Sequence, residues 1–289
     1  MWFTKFLSSN ILYILWFALY FTFTWILFGA NVASFIITTI VYGGSVGIAL
    51  SPLGEVLLRL VENCREPQTD VERSYLLPLF EEVYENAMEV TPSLNKGIKI
   101  YIMDAMYVNA FAIGRQTVAV TKGALETFTE DELKGILAHE LGHMNYGHTK
   151  ALLLSVIGNL FFNIFIWVLR LVFKIFQTIA NIVSYFNWIA LIFSFFIFIT
   201  RLCVDILTFL FINLSQIILA SNSRSNEIEA DRYAYDIGYG RELTNGLYLL
   251  QKMDIQAEVS IMDKAKASHP HLAYRIGQLE MLEDIDLGA

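Results

Sequence analysis

Hydrophobic positions along the chain form two kinds of pattern. The first is unbroken. Phe6 to Phe28 carries no charged residue, and after Gly29-Ala30-Asn31 a second uncharged run extends from Val32 to Leu50. Each is close to the ~20 residues that cross a bilayer as a helix, so residues 1–50 are expected to form a transmembrane hairpin. A cleavable leader is the competing reading of the first run. It fits poorly, because the run is long for a leader, has no obvious small-residue cleavage site and is followed at once by more apolar sequence. A third apolar territory, Ala151 to Ala220, is interrupted only by Arg170, Lys174, Arg201 and Asp205, and predicts a second membrane hairpin over residues 151–220.

The second pattern is periodic, and it occupies residues 51–150 and 221–289. Leu53, Val56, Leu57, Leu60 and Val61 recur at helical spacing, so a helix is expected from Ser51 to Val90, broken at Pro67 and restarting over Leu76–Met88. Thr91-Pro92-Ser93 reads as a loop. Ile98–Met103, Val108–Ile113 and Thr117–Val120 are short β-favouring runs, which predict a small meandering sheet of about three strands. Thr129-Glu130-Asp131-Glu132 is a capping box, so a helix starts near Glu130 and turns Leu133, Ile136, Leu137 and Leu141 to one face.

Composition sharpens the membrane reading. The 289 residues are 55% hydrophobic and only 17% charged, against about 25% charged in soluble domains. A net charge of −8 without a basic stripe excludes a nucleic-acid partner, since phosphate binding needs clustered Lys and Arg. Two cysteines, Cys64 and Cys203, do not make a disulfide framework.

All five histidines lie in the periodic segments. His139-Glu140-Leu141-Gly142-His143 places two imidazoles at i and i+4 on one helical face, where they can hold a single zinc ion. Glu140 faces the same cleft and is the candidate general base for metal-assisted hydrolysis. A catalytic zinc needs a third protein ligand, so His148, His269, His271 and the acidic residues of the C-terminal segment are weighed. His148, five residues past His143, is rotated about 140° around the helix and is expected to point away, as a surface or supporting residue. The stronger candidate is acidic. Glu227 and Asp231 share a helical face, so that Glu227 can close the coordination while Asp231 holds the second nitrogen of a ligand histidine. Glu229 is expected to be a plain surface charge.

These residues resemble the HtpX-type membrane zinc metalloproteases, relatives of the CAAX prenyl endopeptidases. The resemblance is carried by His139–His143, by Ser223-Arg224, Glu227 and Ala230-Asp231, by Ser268-His269-Pro270 with Arg275-Ile276, and by Asn109-Ala110-Phe111-Ala112. It implies a mainly α integral membrane protein with about four transmembrane helices and a gluzincin-like α+β metalloprotease domain holding one zinc per chain. It also implies Glu227 as third ligand, Asp231 as the residue that orients a ligand histidine, and Asn109, Ala110, Phe111 and Ala112 as an edge strand that binds substrate backbone. His269 would sit near the oxyanion formed on the attacked carbonyl, and Arg275 would fix that loop. Family members often carry a polar loop between the third and fourth membrane helices; here Lys174–Arg201 is largely apolar.

If His139, His143 and Glu227 meet at one ion, the chain between them crosses the bilayer an even number of times. Two crossings are expected, one near Ala151–Val172 and one ending near Ala220, with Ile175–Asn187 lying along the interface and Arg201 neutralised by Asp205. Lys5, Arg59 and Arg65 favour a cytoplasmic protease domain in a multi-pass cell-membrane protein. The expected function is cleavage of membrane or misfolded proteins and peptides. Dedicated processing of one precursor, or an inactive zinc-stabilised scaffold, are the alternatives.

Overall fold

The computed structural model describes residue 15 and residues 17–26, 28–149, 153–154, 160–254 and 272–287. In chain order, a short apolar helix α1 (Phe17–Ile26) precedes α2 (Val32–Ala49) and α3 (Pro52–Val61), followed by strand β1 (Cys64–Arg65) and α4 (Asp70–Val90). Strands β2 (Lys99–Met103), β3 (Ala110–Ile113) and β4 (Thr117–Thr121) lead into α5 (Lys122–Thr127) and α6 (Glu130–Tyr146). The remaining helices are α7 (Leu160–Ser184), α8 (Trp188–Asp236), α9 (Gly240–Asp254) and α10 (Leu272–Leu287). The chain divides into two compact units, Met1–Ser45 with Asn159–Leu219, and Val46–Gly158 with Ala220–Ala289.

The first unit is apolar. Among the described residues, three helical stretches are long and apolar enough to cross a membrane: Val32–Ala49, Asn163–Ser184 and Trp188–Leu210. The turn before α2 is closed by Asn31, whose Oδ1 accepts from the Ser34 amide at 2.8 Å while its own amide donates to Ser34 Oγ at 2.9 Å. Residues 175–184, expected along the interface, continue α7 to Ser184 as one helix. No Pro or Gly interrupts that stretch, so the helix runs on until Tyr185–Asn187, where Asn187 Oδ1 accepts from the Ile189 amide and starts α8. Asp205 pairs with Arg201 as expected and has a second basic partner. Its shorter contact is to Arg170 of α7, at 2.8 Å, and Arg201 on its own helix stands at 3.7 Å. Gln177 Nε2 donates to Ser194 Oγ at 2.6 Å, a second polar tie between the two helices.

The second unit is built around a sheet, but the sheet is not a three-stranded meander. Four strands are ordered β1-β2-β4-β3, with β2 and β4 parallel and β3 antiparallel to β4 at the edge. A parallel pair needs a crossover, and the segment after β2 supplies it. Thr121 Oγ1 receives the Asn109 amide at 3.0 Å and donates to the Tyr107 carbonyl at 2.6 Å, which pins the crossing chain over the end of β4. Gly123 leaves it room, since a Cβ there would come within 2.2 Å of the Met106 carbonyl oxygen. Strand β4, central and fully buried, is apolar on both faces apart from its terminal threonines.

Two helices with capping boxes flank this sheet. Thr69 and Glu72 cap α4, and Thr129 and Glu132 cap α6. Leu76, Phe80, Val83, Leu133, Leu137 and Leu141 fill one core with Ile102, Val118 and Val120. Helix α9 packs on α6, and α10 on α9. On α3, buried Glu55 accepts the amides of Gln116 (2.8 Å) and Arg115 (3.3 Å), which fastens the β3–β4 turn. That turn needs Gly114, whose φ is +59°.

Candidate metal centre

Helix α6 carries the first part of the site because its cap and its apolar face hold it in the core. His139 and Glu140 are 4% and 7% exposed, despite being polar. Gly142 lets α8 approach. A Cβ there would stand 3.0 Å from the Cα and carbonyl oxygen of Ala230, so the two backbones nearly touch. That close approach brings Glu227, 2% exposed, over the two histidines.

Three nitrogen and oxygen donors converge there. His139 Nε2 and His143 Nε2 are 3.1 Å apart, Glu227 Oε2 is 3.4 Å from the first, and Glu227 Oε1 is 3.3 Å from the second. They are the one group of at least three His, Cys, Asp or Glu residues among the described residues able to share a metal ion. Around a tetrahedral zinc with bonds near 2.0–2.1 Å, neighbouring donors lie about 3.3 Å apart. The two nitrogens, and each nitrogen with its nearer carboxylate oxygen, are separated by distances of that size.

The donor chemistry agrees. Asp231 Oδ1 is 2.8 Å from His139 Nδ1, so that nitrogen carries the proton and Nε2 presents a lone pair to the Glu227 carboxylate. A bound cation would take up that lone pair; without one, a second proton on Nε2 fills the same place against Glu227. Burial and Arg275 oppose a charge on His139, but the hydrogen bonds of Asp231 and Glu227 prevail and lift its pKa to about 9. The pocket's own electrostatics thus favour a positive charge at that point.

Arg275 on α10 closes the acidic side. Its Nε and Nη2 grip the two oxygens of Asp231 at 2.7 and 2.5 Å, and Nη1 is 3.0 Å from Glu227 Oε2. It is 4% exposed, and its closest contacts are with the acidic residues of the centre.

His148 does not point away. Gly147 takes a left-handed conformation (φ 75°) at the end of α6, and the chain doubles back so that the His148 amide donates to the His143 carbonyl at 2.9 Å. The rotation argument assumes a continuing helix, and the helix stops. His148 Nδ1 is 3.1 Å from His143 Nδ1, and its Nε2 is 3.3 Å from Glu229 Oε2. Burial and then the neighbouring His143 push its pKa down to about 4. Glu229 is half-exposed but not solitary. A glycine directly after the last helical residue was the available signal. Ala110, Phe111 and Ala112 lie on β3, with Asn109 just before it, and β3 packs on α6. His269 and His271 lie outside the described residues.

A family model supplies the affiliation: Peptidase family M48 matches residues 79–283, most of the chain. The chain belongs to peptidase family M48. Its relatives among curated proteins carry the name Protease HtpX homolog. One from Bacillus licheniformis is 26% identical over 223 residues, covering 70% of this chain and 68% of that protein. Another, from Dictyoglomus turgidum, is 44% identical over 87 residues, covering 28% of this chain and 26% of the relative. The match to that relative thus spans about a quarter of its length. A crystal structure of S. mikatae Ste24p aligns with 96% of this chain and 65% of its own, at 19% identity and a TM-score of 0.49.

Proposed function

We propose that this chain is a zinc-dependent membrane endopeptidase that hydrolyses peptide bonds of membrane or misfolded proteins. The observation that carries the reading is the triangle of His139 Nε2, His143 Nε2 and the Glu227 carboxylate, with edges of 3.1–3.4 Å, beside Glu140 in the same buried helix.

His139, His143 and Glu227 hold one zinc ion, which supplies Lewis-acid polarisation of the scissile carbonyl and acidification of a water when bound. Asp231 keeps the proton of His139 on Nδ1, and so keeps Nε2 free to ligate. Arg275 neutralises Asp231 and Glu227 on the side away from substrate. Glu140 takes the proton of the attacking water and returns it to the leaving amine. The edge strand β3, with Ala110, Phe111 and Ala112 on it and Asn109 just before it, pairs with substrate backbone, which gives affinity with little sequence choice. His269 stabilises the oxyanion on the attacked carbonyl, as the resemblance to HtpX-type proteases implies.

The chain is organised as a membrane hairpin (1–50), a first protease segment (51–150), a second membrane hairpin (151–220) and a second protease segment (221–289). Four spans, with α1 part of the first, leave the protease segments together on the cytoplasmic side. The decisive experiment is Glu140→Gln in the purified, lipid-reconstituted protein. Zinc content stays at one per chain while cleavage of an unfolded model protein falls about 10²–10⁴-fold. Near-normal proteolysis by this variant overturns the reading.

A further inference from the structure

The two histidines of the centre are each held from behind, by different means. His139 is held by a carboxylate, Asp231 Oδ1 at 2.8 Å from Nδ1. For His143 the corresponding position is filled by an imidazole, His148 Nδ1 at 3.1 Å, with Glu229 Oε2 3.3 Å from the far nitrogen of that ring. Donor and acceptor roles along this line fix one another. A carboxylate only accepts, so His148 Nε2 bears the hydrogen that it donates to Glu229. The neutral ring then has its lone pair at Nδ1, and His143 must donate to it from its own Nδ1. His143 Nε2 is left with the lone pair, on the side where Glu227 and His139 lie.

His148 cannot serve as a ligand of the same ion from this position. It stands behind the His143 ring, on the nitrogen opposite the donor triangle. The arrangement is also built rather than incidental. Gly147 reverses the chain at φ 75° to bring His148 back, and the ring stacks on Tyr146 with centroids 5.7 Å apart.

We infer that His148, backed by Glu229, is a positioning residue that fixes the tautomer and orientation of His143, doing for the second histidine what Asp231 does for the first. The inference rests on the zinc reading of the donor triangle. An outer partner of a ligating histidine typically changes metal affinity by about 10–100-fold when removed.

The test compares His148→Phe, which keeps a stacking ring without an acceptor, with His148→Asn, whose side-chain oxygen can stand where Nδ1 stood. Zinc content, zinc affinity by chelator competition and the visible spectrum of the cobalt-substituted protein are measured for the full chain in detergent. His148→Phe is expected to bind one zinc per chain at saturation, with affinity lowered about 10–100-fold and an altered cobalt spectrum. His148→Asn is expected to recover most of both, and Glu229→Gln to weaken binding less than His148→Phe, because Glu229 is half-exposed. An unchanged affinity and spectrum in His148→Phe overturns the inference, as does an equal loss in the Phe and Asn variants. Complete loss of zinc at saturation in His148→Phe also overturns it, since His148 would then be a ligand. Glu227→Ala and His143→Ala run alongside. Full zinc occupancy in either of those overturns the zinc reading itself. Should His148→Phe fail to fold, the Asn and Gln variants still decide: wild-type affinity in His148→Asn with lowered affinity in Glu229→Gln supports the line of hydrogen bonds. Lowered affinity in His148→Asn together with unchanged affinity in Glu229→Gln refutes it.

Discussion

Arg275 shows how much a single buried charge can organise. It is 4% exposed and bound to two carboxylates that are themselves 2% and 3% exposed, Glu227 and Asp231. Burying charges is tolerable only when they are paired and hydrogen-bonded, and removing one member leaves the others uncompensated. Arg275→Ala is therefore expected to destabilise the protein by about 3–5 kcal/mol, read as a lowered melting temperature, with zinc-saturated protein losing less than zinc-stripped protein because the ion takes over part of the neutralisation. Equal melting temperatures of wild type and variant after chelation would refute this. The residues along one helical face were legible in the sequence: His139, Glu140 and His143 from their spacing, and Glu227 with Asp231 from theirs. Arg275 entered only through resemblance, as a loop-fixing residue, because its pairing with Asp231 spans 44 positions and no local pattern reports it. For His148 the supporting place behind a ligand histidine agrees with expectation, but the direction does not. The local rule applied was sound for a helix, and Gly147 ended the helix one residue too early for it.

At the level of elements, helix starts were more legible than strand order. The capping box at Thr129 marks the start of α6, and the box at Thr69 starts α4 at Asp70, six residues before the apolar periodicity resumes at Leu76. Strand β1 has two residues and no periodicity to detect, and the parallel pairing of β2 with β4 depends on a crossover that only tertiary contacts hold. Close helix packing gives a direct test. Gly135 of α6 lies against α9, where a Cβ would fall 2.2 Å from the Leu243 amide nitrogen. Ala improves helix propensity by about 1 kcal/mol over Gly, yet backbone cannot yield as a side-chain tip can. Gly135→Ala is expected to lower the melting temperature, a net loss of about 1–3 kcal/mol; a stabilised variant would show that α6 and α9 are not so closely apposed. The edge strand gives another. The Thr121 amide donates to the Asn109 carbonyl while the Asn109 amide donates to Thr121 Oγ1, and alternation then turns the amide and carbonyl of Ala110 and Ala112 away from β4. Ala110→Pro deletes an outward N–H without breaking a ladder bond to β4. It should leave zinc content and melting temperature near wild type while cleavage of a model protein falls, chiefly through KM. Unchanged cleavage by a folded Ala110→Pro protein would remove β3 from substrate binding.

Across the whole molecule, the candidate ligand set is split in sequence by the segment 159–219 that belongs to the apolar unit. His139 and His143 precede it, and Glu227 follows. Two helical stretches within it, Asn163–Ser184 and Trp188–Leu210, are long and apolar enough to cross a membrane, and two crossings would return the chain to the side it left. Apolar run length points to two spans but not to their bounds, expected near Ala151–Val172 and ending near Ala220 and found as Asn163–Ser184 and Trp188–Leu210, because an apolar stretch reads alike whether it crosses a membrane or lies along its surface. One consequence concerns folding rather than catalysis. An ion held by α6 and α8 ties together two parts of the second unit that are far apart in sequence, so its binding free energy adds to the stability of the folded state. Zinc at about 100 times its dissociation constant should add about 2.7 kcal/mol. Melting temperature should therefore fall on chelation and rise again when zinc is restored. In Glu227→Ala, which retains only two of the three donors, both the zinc content and the chelator-sensitive part of the melting temperature should collapse together. Glu140→Gln separates the two roles of the motif, because it should keep the full chelator effect while losing proteolysis. Should Glu227→Ala instead hold one zinc per chain and melt with the wild-type dependence on chelator, Glu227 is not a ligand. The requirement that the chain return to its starting side of the membrane between His143 and Glu227 then falls with it.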